Sequence, residues 1–338
     1  MKILSIETSC DETAAAVVEI KGGKFKALSN VVSSQIKTHA KYGGVVPEVA
    51  ARLHVEKIIP IIDKALEDAK TKVKDLKAIA VVSGPGLVPS LRVGVETAKT
   101  LAYAWDKPLI SVNHIEGHIA ASLLSARKVK LPAICLVVSG GHTSLIHVKD
   151  WGKYKLIGQT RDDAVGESFD KVAKMMGLGY PGGPIVSKLA EAGKPSKFDL
   201  PRPMIGSNDF DFSFSGIKTA VLYLYKSKKT WTKQDKADLA REFENAVVEV
   251  LVKKTFDAIE KFKPNSFILG GGVAANKKLR NELKKAGKKV KGLEMHIPSF
   301  EFTTDNAAMI GAAAYFHYKD KNFADTFGLV ADPGWQLI

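Results

Sequence analysis

The sequence predicts an α/β fold made of two related halves. Three observations carry that expectation. The chain opens with an apolar run, a polar tip and a second apolar run, KILSIETSCDETAAAVVEI. The same design returns about 130 residues later as AICLVVSGGHTSLIHV, which points to an internal duplication. Around these hairpins, β-like runs alternate with helical patterns, as α/β proteins require.

Taken in order, Ile3 to Ile6 and Ala14 to Ile20 form the first hairpin, with Asp11 and Glu12 at its acidic tip. Pro47 opens a helix that runs through EVAARLHVEKIIPIIDKALEDA, and Pro60 is expected to kink it. AIAVVSGPGL reads as a buried strand ending in a turn, and RVGVETAKTLAYAW as an apolar helix. PLISVNH reads as a strand that delivers His114 to the start of the next helix. The basic, proline-ended junction near Lys128–Pro132 is the expected lobe boundary, giving an N-terminal lobe of 1–130 and a C-terminal lobe of 131–338. The last helix, about 305–320, is expected to pack back toward the N-terminal lobe. The second hairpin runs from Ala133 to Val138, turns through Ser139-Gly140-Gly141-His142-Thr143 and returns over Ser144 to Val148.

A third glycine cluster lies in SFILGGGVAANKKLRNEL. A strand over Phe267 to Leu269 meets Gly270, Gly271 and Gly272, and a helix is expected to begin near Ala274. Glycines let backbone N–H groups approach an anion, and a strand–glycine–helix junction suits a phosphate. This cluster does not match the G-x-G-x-x-G fingerprint, and a P-loop occurs nowhere in the sequence.

Composition narrows the classes. At 338 residues the chain is long for one core and suits two lobes. Lysine and arginine total 50 against 36 acids, a net charge of +14 that favours a polyanionic partner or simple solubility. Only Cys10 and Cys135 occur, without a CxxC, so neither a disulfide framework nor a cysteine zinc site is expected. The N-terminal MKILSIETSCDE turns acidic too early for a signal peptide. Apolar runs fall short of the ~18 residues of a membrane span. The expectation is a soluble, cytoplasmic protein.

The stretch SVNHIEGHIAASL places His114 and His118 four residues apart. On a helix both imidazoles project from one face, a spacing that suits a shared metal, although ordinary core histidines also fill such positions. KKLRNELKKAGKKVKGL holds eight basic residues and one acid, and Lys226, Lys228, Lys229 and Lys233 form a second basic group; both are solvated faces or RNA contacts. The phenylalanines of FDFSFSGIKTA read as core rather than as base-stacking residues.

IETSCDETAAAVV, GGVVPEVAARLH, SGPGLVPSLRVG, NHIEGH, VSGGHT, GESFDKVAKMMGLGYPGGP, FSFSGIKTA, GGGVAAN and TTDNAAMIGAAAY occur in that order. Together they resemble the TsaD/Kae1/Qri7 family, and VSGGHT resembles its bacterial branch. The resemblance implies the two-lobed actin/hexokinase/Hsp70-like (ASKHA) fold. It implies transfer of a threonylcarbamoyl group from L-threonylcarbamoyladenylate to N6 of adenosine 37 in tRNAs reading codons that begin with A. It further implies one Fe2+ or Zn2+ ion held by His114, His118 and Asp305. Val137 stands where archaeal members carry a metal-binding tyrosine, so a fourth metal position falls to water or substrate.

By the same resemblance Val137, Val138, Ser139, Gly140 and Gly141 contact the nucleotide, and Asp170, Gly183 and Asn276 its adenosine portion. Ser187 stands where some members have an aspartate, so one sugar contact is expected to be weaker. Asp11 and Glu12 are the candidates for proton transfer, with His142 as the runner-up base. The implied partners are tRNA, the fold-related TsaB and the ATPase TsaE, with the donor made by TsaC. Such a chain could also act as a nucleotide-switched scaffold subunit. A metalloprotease is opposed by the sequence, since H-E-x-x-H needs glutamate directly after the first histidine, whereas Glu116 sits one residue late, about 100° further round a helix. A sugar-kinase-like Mg2+ site is opposed by the paired imidazoles.

Overall fold

The first hairpin forms as β1 (Lys2–Glu7) and β2 (Glu12–Lys21), antiparallel, with Glu7 opposite Ala14. This computed structural model describes residues 1–125, 128–194 and 198–337. Contacts divide the chain into two units: Met1–Val129, Asp150–Tyr154 and Pro298–Ile338 form one, and Lys130–Lys149 with Lys155–Ile297 the other. Residues 298–337, placed by the sequence division with the second lobe, thus cluster with the first unit.

In the first unit β2 runs on into β3 (Lys24–Ser34). The short α1 (Ile36–His39) precedes α2 (Pro47–Asp68), one continuous helix with Pro60 inside it. Then follow β4 (Leu76–Gly84), α3 (Val88–Ala104), β5 (Leu109–Asn113), α4 (His114–Ala120) and α5 (Ser122–Ser125). The second unit holds β6 (Ala133–Val138), most of β7 (Thr143–Asp150) and β8 (Lys153–Gln159), whose joining residues 150–154 cluster with the first unit, and α6 (Val165–Met175), α7 (Gly182–Glu191), α8 (Ser215–Ser227), α9 (Lys233–Phe262), β9 (Ser266–Gly270), α10 (Lys277–Gly287) and β10 (Glu294–His296). The chain returns to the first unit as α11 (Ala307–Lys319).

The two sheets share one topology. The first has the order β3-β2-β1-β4-β5 and the second, read from the other end, β8-β7-β6-β9-β10. In each, the opening hairpin is antiparallel and its first strand pairs in parallel with the strand delivered after the next helices. The duplication legible in the hairpins therefore extends to whole sheets, and the fold is the actin-like α/β type. β1 and β6 lie at corresponding places, so the tips after them, Thr8–Asp11 and Ser139–His142, correspond too.

Hydrophobic burial holds each unit. Leu4, Ile6, Ala15, Val17, Ile79 and Val81 form the sheet face of one core against Ile58, Ile62 and Val95 of α2 and α3. Phe169, Phe212, Phe214, Phe243 and Phe267 lie in the other, each at most 2% exposed. Phe212 and Phe214 are core, as FDFSFSGIKTA suggested. A fully buried side chain of this size contributes roughly 1.5–3 kcal/mol.

Candidate metal centre and nucleotide-binding loops

α4 begins at His114 because Asn113 caps it. The Asn113 side-chain oxygen accepts from Ile115 N at 2.9 Å and from Glu116 N at 3.4 Å, two of the N–H groups a helix start leaves unpaired. Its Nδ2 donates to the carbonyl of Trp335 at 3.2 Å. One helical turn then sets His114 and His118 edge to face, with ring centroids 4.6 Å apart. Both are buried.

Asp305 reaches them through α11. Ser5 Oγ donates to the Ala307 carbonyl at 2.6 Å, tying the start of α11 to β1. α11 packs closely against α4 at Gly117, where a Cβ would meet Ile310 Cδ1 at 2.8 Å and Met309 Cγ at 3.2 Å. Asp305, just before α11, thereby sets Oδ1 3.3 Å from His118 Nε2 and 3.6 Å from His114 Nε2. Two ligands bound at about 2.1 Å to one tetrahedral ion lie about 3.4 Å apart, so these separations fit a single ion. His114, His118 and Asp305 can each present a donor atom within 4.8 Å of the others. His118 is 0% exposed, its Nδ1 has no hydrogen-bond partner among the described residues, and its Nε2 faces Asp305 Oδ1 at 3.3 Å. A buried imidazole left in this way wants a ligand.

The electrostatics point the same way. Burial opposes a charge on His114, but Asp305 and the hydrogen-bonded Glu7 outweigh it, and its pKa is pushed up to about 9. Burial holds His118 below its ordinary range even with Asp305 alongside. Two carboxylates thus draw a positive charge onto the pair, either a proton on His114 or a metal cation, and His118 is kept as the neutral imidazole that ligates metals.

Glu7 is the residue that sequence reasoning missed. It is 0% exposed at the end of β1, with Oε2 3.1 Å from His114 Nδ1. Its Oε1 accepts from Ser9 N at 2.5 Å, and Ser9 Oγ lies 3.1 Å from the same imidazole nitrogen. A carboxylate behind a ligating histidine fixes its tautomer and ring orientation. The available signal was an acid directly after the run Ile3 to Ile6.

Glu116 points elsewhere. It accepts from Tyr154 Oη at 2.9 Å and pairs with His317 Nε2 at 2.8 Å. Its carboxylate is engaged away from the imidazoles, which removes the base a metalloprotease would need.

The first hairpin tip belongs to the same unit. Asp11 is 8% exposed, and Glu12 is half-buried with Ser34 Oγ donating to it at 2.9 Å. Burial, reinforced by the charges of Asp11 and Asp305, lifts Glu12 well above the usual carboxylate range.

In the second unit the candidate nucleotide contacts join through a chain of contacts. Val137 and Val138 are fully buried between β7 and β9 and Ser139 is buried as well, so Gly140 and Gly141 are the exposed part of that run. Gly166 N on α6 donates to the Ser139 carbonyl at 3.1 Å. Gly182 N donates to Asp170 Oδ1 at 2.6 Å, so that carboxylate holds the start of α7. Gly271, at φ +90°, passes so near β6 that a Cβ would lie 2.3 Å from the Val138 carbonyl. Space stays open above Gly140, Gly141, Gly183 and Gly272. His142 closes the tip, its carbonyl accepting from Ser139 N at 2.8 Å.

Asn276 corrects the expected helix start. A 3-10 turn fills Gly272–Ala275, and α10 begins at Lys277 because Asn276 Oδ1 caps Leu279 N at 2.8 Å. Its Nδ2 donates to Ser187 Oγ at 2.9 Å and Glu244 Oε1 at 2.7 Å. Through Asn276, Ser187 is thus linked to a carboxylate, Glu244 of α9.

A duplicated actin-like fold, with a histidine–histidine–carboxylate cluster that could hold a metal ion in one unit and exposed glycine loops in the other, places the chain among proteins of the ASKHA fold. Among solved structures, the chain is similar to T. kodakarensis HypF (TM-score 0.63, 13% identity, 96% of this chain and 49% of that one). It is also similar to component A of the Acidaminococcus fermentans (R)-2-hydroxyglutaryl-CoA dehydratase (TM-score 0.54, 17% identity, 95% and 99%). At such identities the likeness speaks for the fold alone. Sequence similarity is more specific. The family described as TsaD, tRNA N6-adenosine threonylcarbamoyltransferase, matches residues 26–312. Proteins of that name from Syntrophomonas wolfei (50% identity, 95% of this chain and 94% of the relative) and Clostridium perfringens (50% identity, 99% and 98%) are near full-length relatives. The chain belongs to the TsaD family.

Proposed function

We propose that this chain moves the threonylcarbamoyl group of L-threonylcarbamoyladenylate onto N6 of adenosine 37 in tRNAs reading codons that begin with A. Membership of the family, at about half identity along nearly the whole chain, supports the reaction. The convergence of His114, His118 and Asp305 is the observation that carries the site.

The donor is a mixed anhydride, so its carbonyl is already activated. In the transfer a C–N bond forms to N6, the C–O bond to phosphate breaks, AMP leaves and N6 loses a proton. His114, His118 and Asp305 would hold one Fe2+ or Zn2+ ion, which when bound supplies a Lewis acid for the donor's oxygens. Glu7 keeps His114 in the ligating orientation. Glu12, with its raised pKa, is suited to take the N6 proton, and Asp11 beside it tunes that value. The open space at Gly140, Gly141 and Gly183, beside Ser139, suits close approach of the adenylate, with Asp170 and Asn276 shaping the wall on its adenosine side.

On this reading TsaB and TsaE are the partners that complete the machinery and TsaC makes the donor, in the cytoplasm. No helix among the described residues is long and apolar enough to cross a membrane. The test is reconstitution with these partners, donor and unmodified tRNA, followed by mass spectrometry of digested nucleosides. His118→Ala and Asp305→Ala should abolish the modified adenosine while circular dichroism stays unchanged. Undiminished product from both variants would remove the cluster from the mechanism.

A further inference from the structure

Half of the chain's net charge sits in fifteen residues. Residues 277–291 contain eight basic residues and one acid, net +7, against +14 for the whole chain. α10 buries Leu279, Leu283 and Gly287 along one stripe, together with Arg280, and turns the rest outward. Lys277, Lys284, Lys285, Lys288, Lys289 and Lys291 are all exposed. The anions nearest them among the described ion pairs are Glu191, 3.6 Å from Lys277, and Glu282, 3.8 Å from Lys285. Exposed pairs at such distances neutralise little.

Local helix physics does not account for this concentration. Lysines at the C-terminal end complement the helix dipole, but Lys277 and Lys278 occupy the first turn, where cations oppose it. A face kept merely for solubility mixes both signs. Six exposed lysines with one acid instead make a single-sign field that selects an anion.

We propose that α10 and the turn after it, residues 277–291, are the landing surface for the phosphate backbone of the tRNA. The identity of the polyanion rests on the transferase reading. The helix starts at Asn276, which joins the candidate adenosine wall, and its eleven residues extend about 16 Å from there. Lysines on flexible stems meet phosphates as point charges without reading bases, as a substrate class of several tRNAs requires.

The test is the salt dependence of unmodified tRNA binding, followed by fluorescence anisotropy. Its subjects are the unsubstituted protein, a quadruple variant (Lys284→Gln, Lys285→Gln, Lys288→Gln, Lys289→Gln) and a charge-matched control (Lys21→Gln, Lys24→Gln, Lys72→Gln, Lys77→Gln). Four lost contacts should flatten the slope of log affinity against log salt by about 3 and weaken binding at least tenfold at about 0.1 M salt. The control should keep the original slope. In turnover, KM for tRNA should rise with kcat held within about twofold. Equal losses in both variants would mean bulk charge alone, and an unchanged slope in the α10 variant would mean solvated lysines; either overturns the proposal. Normal tRNA binding with weakened docking of the fold-related partner protein would overturn it too, assigning the face to protein. Should the unsubstituted protein bind tRNA yet form no modified nucleoside, the transferase reading fails, while the slopes still decide the surface.

Discussion

Glu7 Oε2 stands 3.1 Å from His114 Nδ1, so the second residue of a carboxylate–imidazole pair is fixed by the first strand of the fold. His114 therefore has one face committed to the protein and Nε2 turned toward Asp305.

Replacing Glu7 by glutamine should loosen that orientation without emptying the site. A metal-supporting carboxylate of this kind is worth about 10–100-fold in affinity. Zinc titration against a competing chelator should show a loss of that size in Glu7→Gln, with the thermal midpoint of the metal-free protein changed far less than in Glu7→Ala. Wild-type affinity in Glu7→Gln would mean that the pair is only packing.

Gly271 and Gly141 should separate fold from binding. At Gly271 a methyl group would collide with the Val138 carbonyl, and φ +90° is a backbone region nearly closed to other residues. Gly271→Ala should cost more than ~3 kcal/mol and show as a large drop in the urea midpoint. At Gly141 nothing lies within 4 Å of a new Cβ. Gly141→Ala should fold normally but bind an adenine nucleotide more weakly, read by calorimetry.

Asn276 does two jobs that substitution can divide. Asn276→Ala removes the α10 cap and should destabilise by about 1 kcal/mol. Asn276→Ser retains a capping oxygen but not the amide that reaches Ser187 and Glu244. If that amide shapes the adenosine wall, Asn276→Ser should recover stability without recovering nucleotide affinity. Recovery of both would make the residue a cap alone.

His317 should give the fold a pH dependence. Burial opposes its charge, but the contact with Glu116 prevails and raises its pKa above the ordinary value. The sign follows from linkage. A raised folded value means that the stabilisation is complete below about pH 6.5, where the unfolded imidazole is also charged, and is lost as pH climbs through the folded value. Thermal midpoints measured from about pH 6 to pH 9 should fall more steeply for the unsubstituted protein than for His317→Gln. Parallel curves would show that the pair contributes nothing.

Much of this protein was readable along the chain. Alternation and turn residues marked β1–β2 and β6–β7, and the matching sheet orders show that both hairpins open the same topology. Such features depend on residues a few positions apart, where periodicity reports directly on which side chains share a face. His114 and His118 were legible as a pair for the same reason, and Asp305 entered through the family's motif.

Tertiary structure decided the rest. Burial placed Val137 and Val138 inside a sheet. A side-chain cap moved the α10 start past Ala274. Glu7 came to stand behind His114, and Glu116 was drawn to Tyr154 and His317 rather than to the imidazoles. Glu7 and Glu116 are separated from their partners by tens to hundreds of residues, and no local pattern encodes those contacts. Packing settles such contacts, as where α11 meets α4 at Gly117, because only the folded core determines which distant backbones can approach and which buried polar atoms must then find one another.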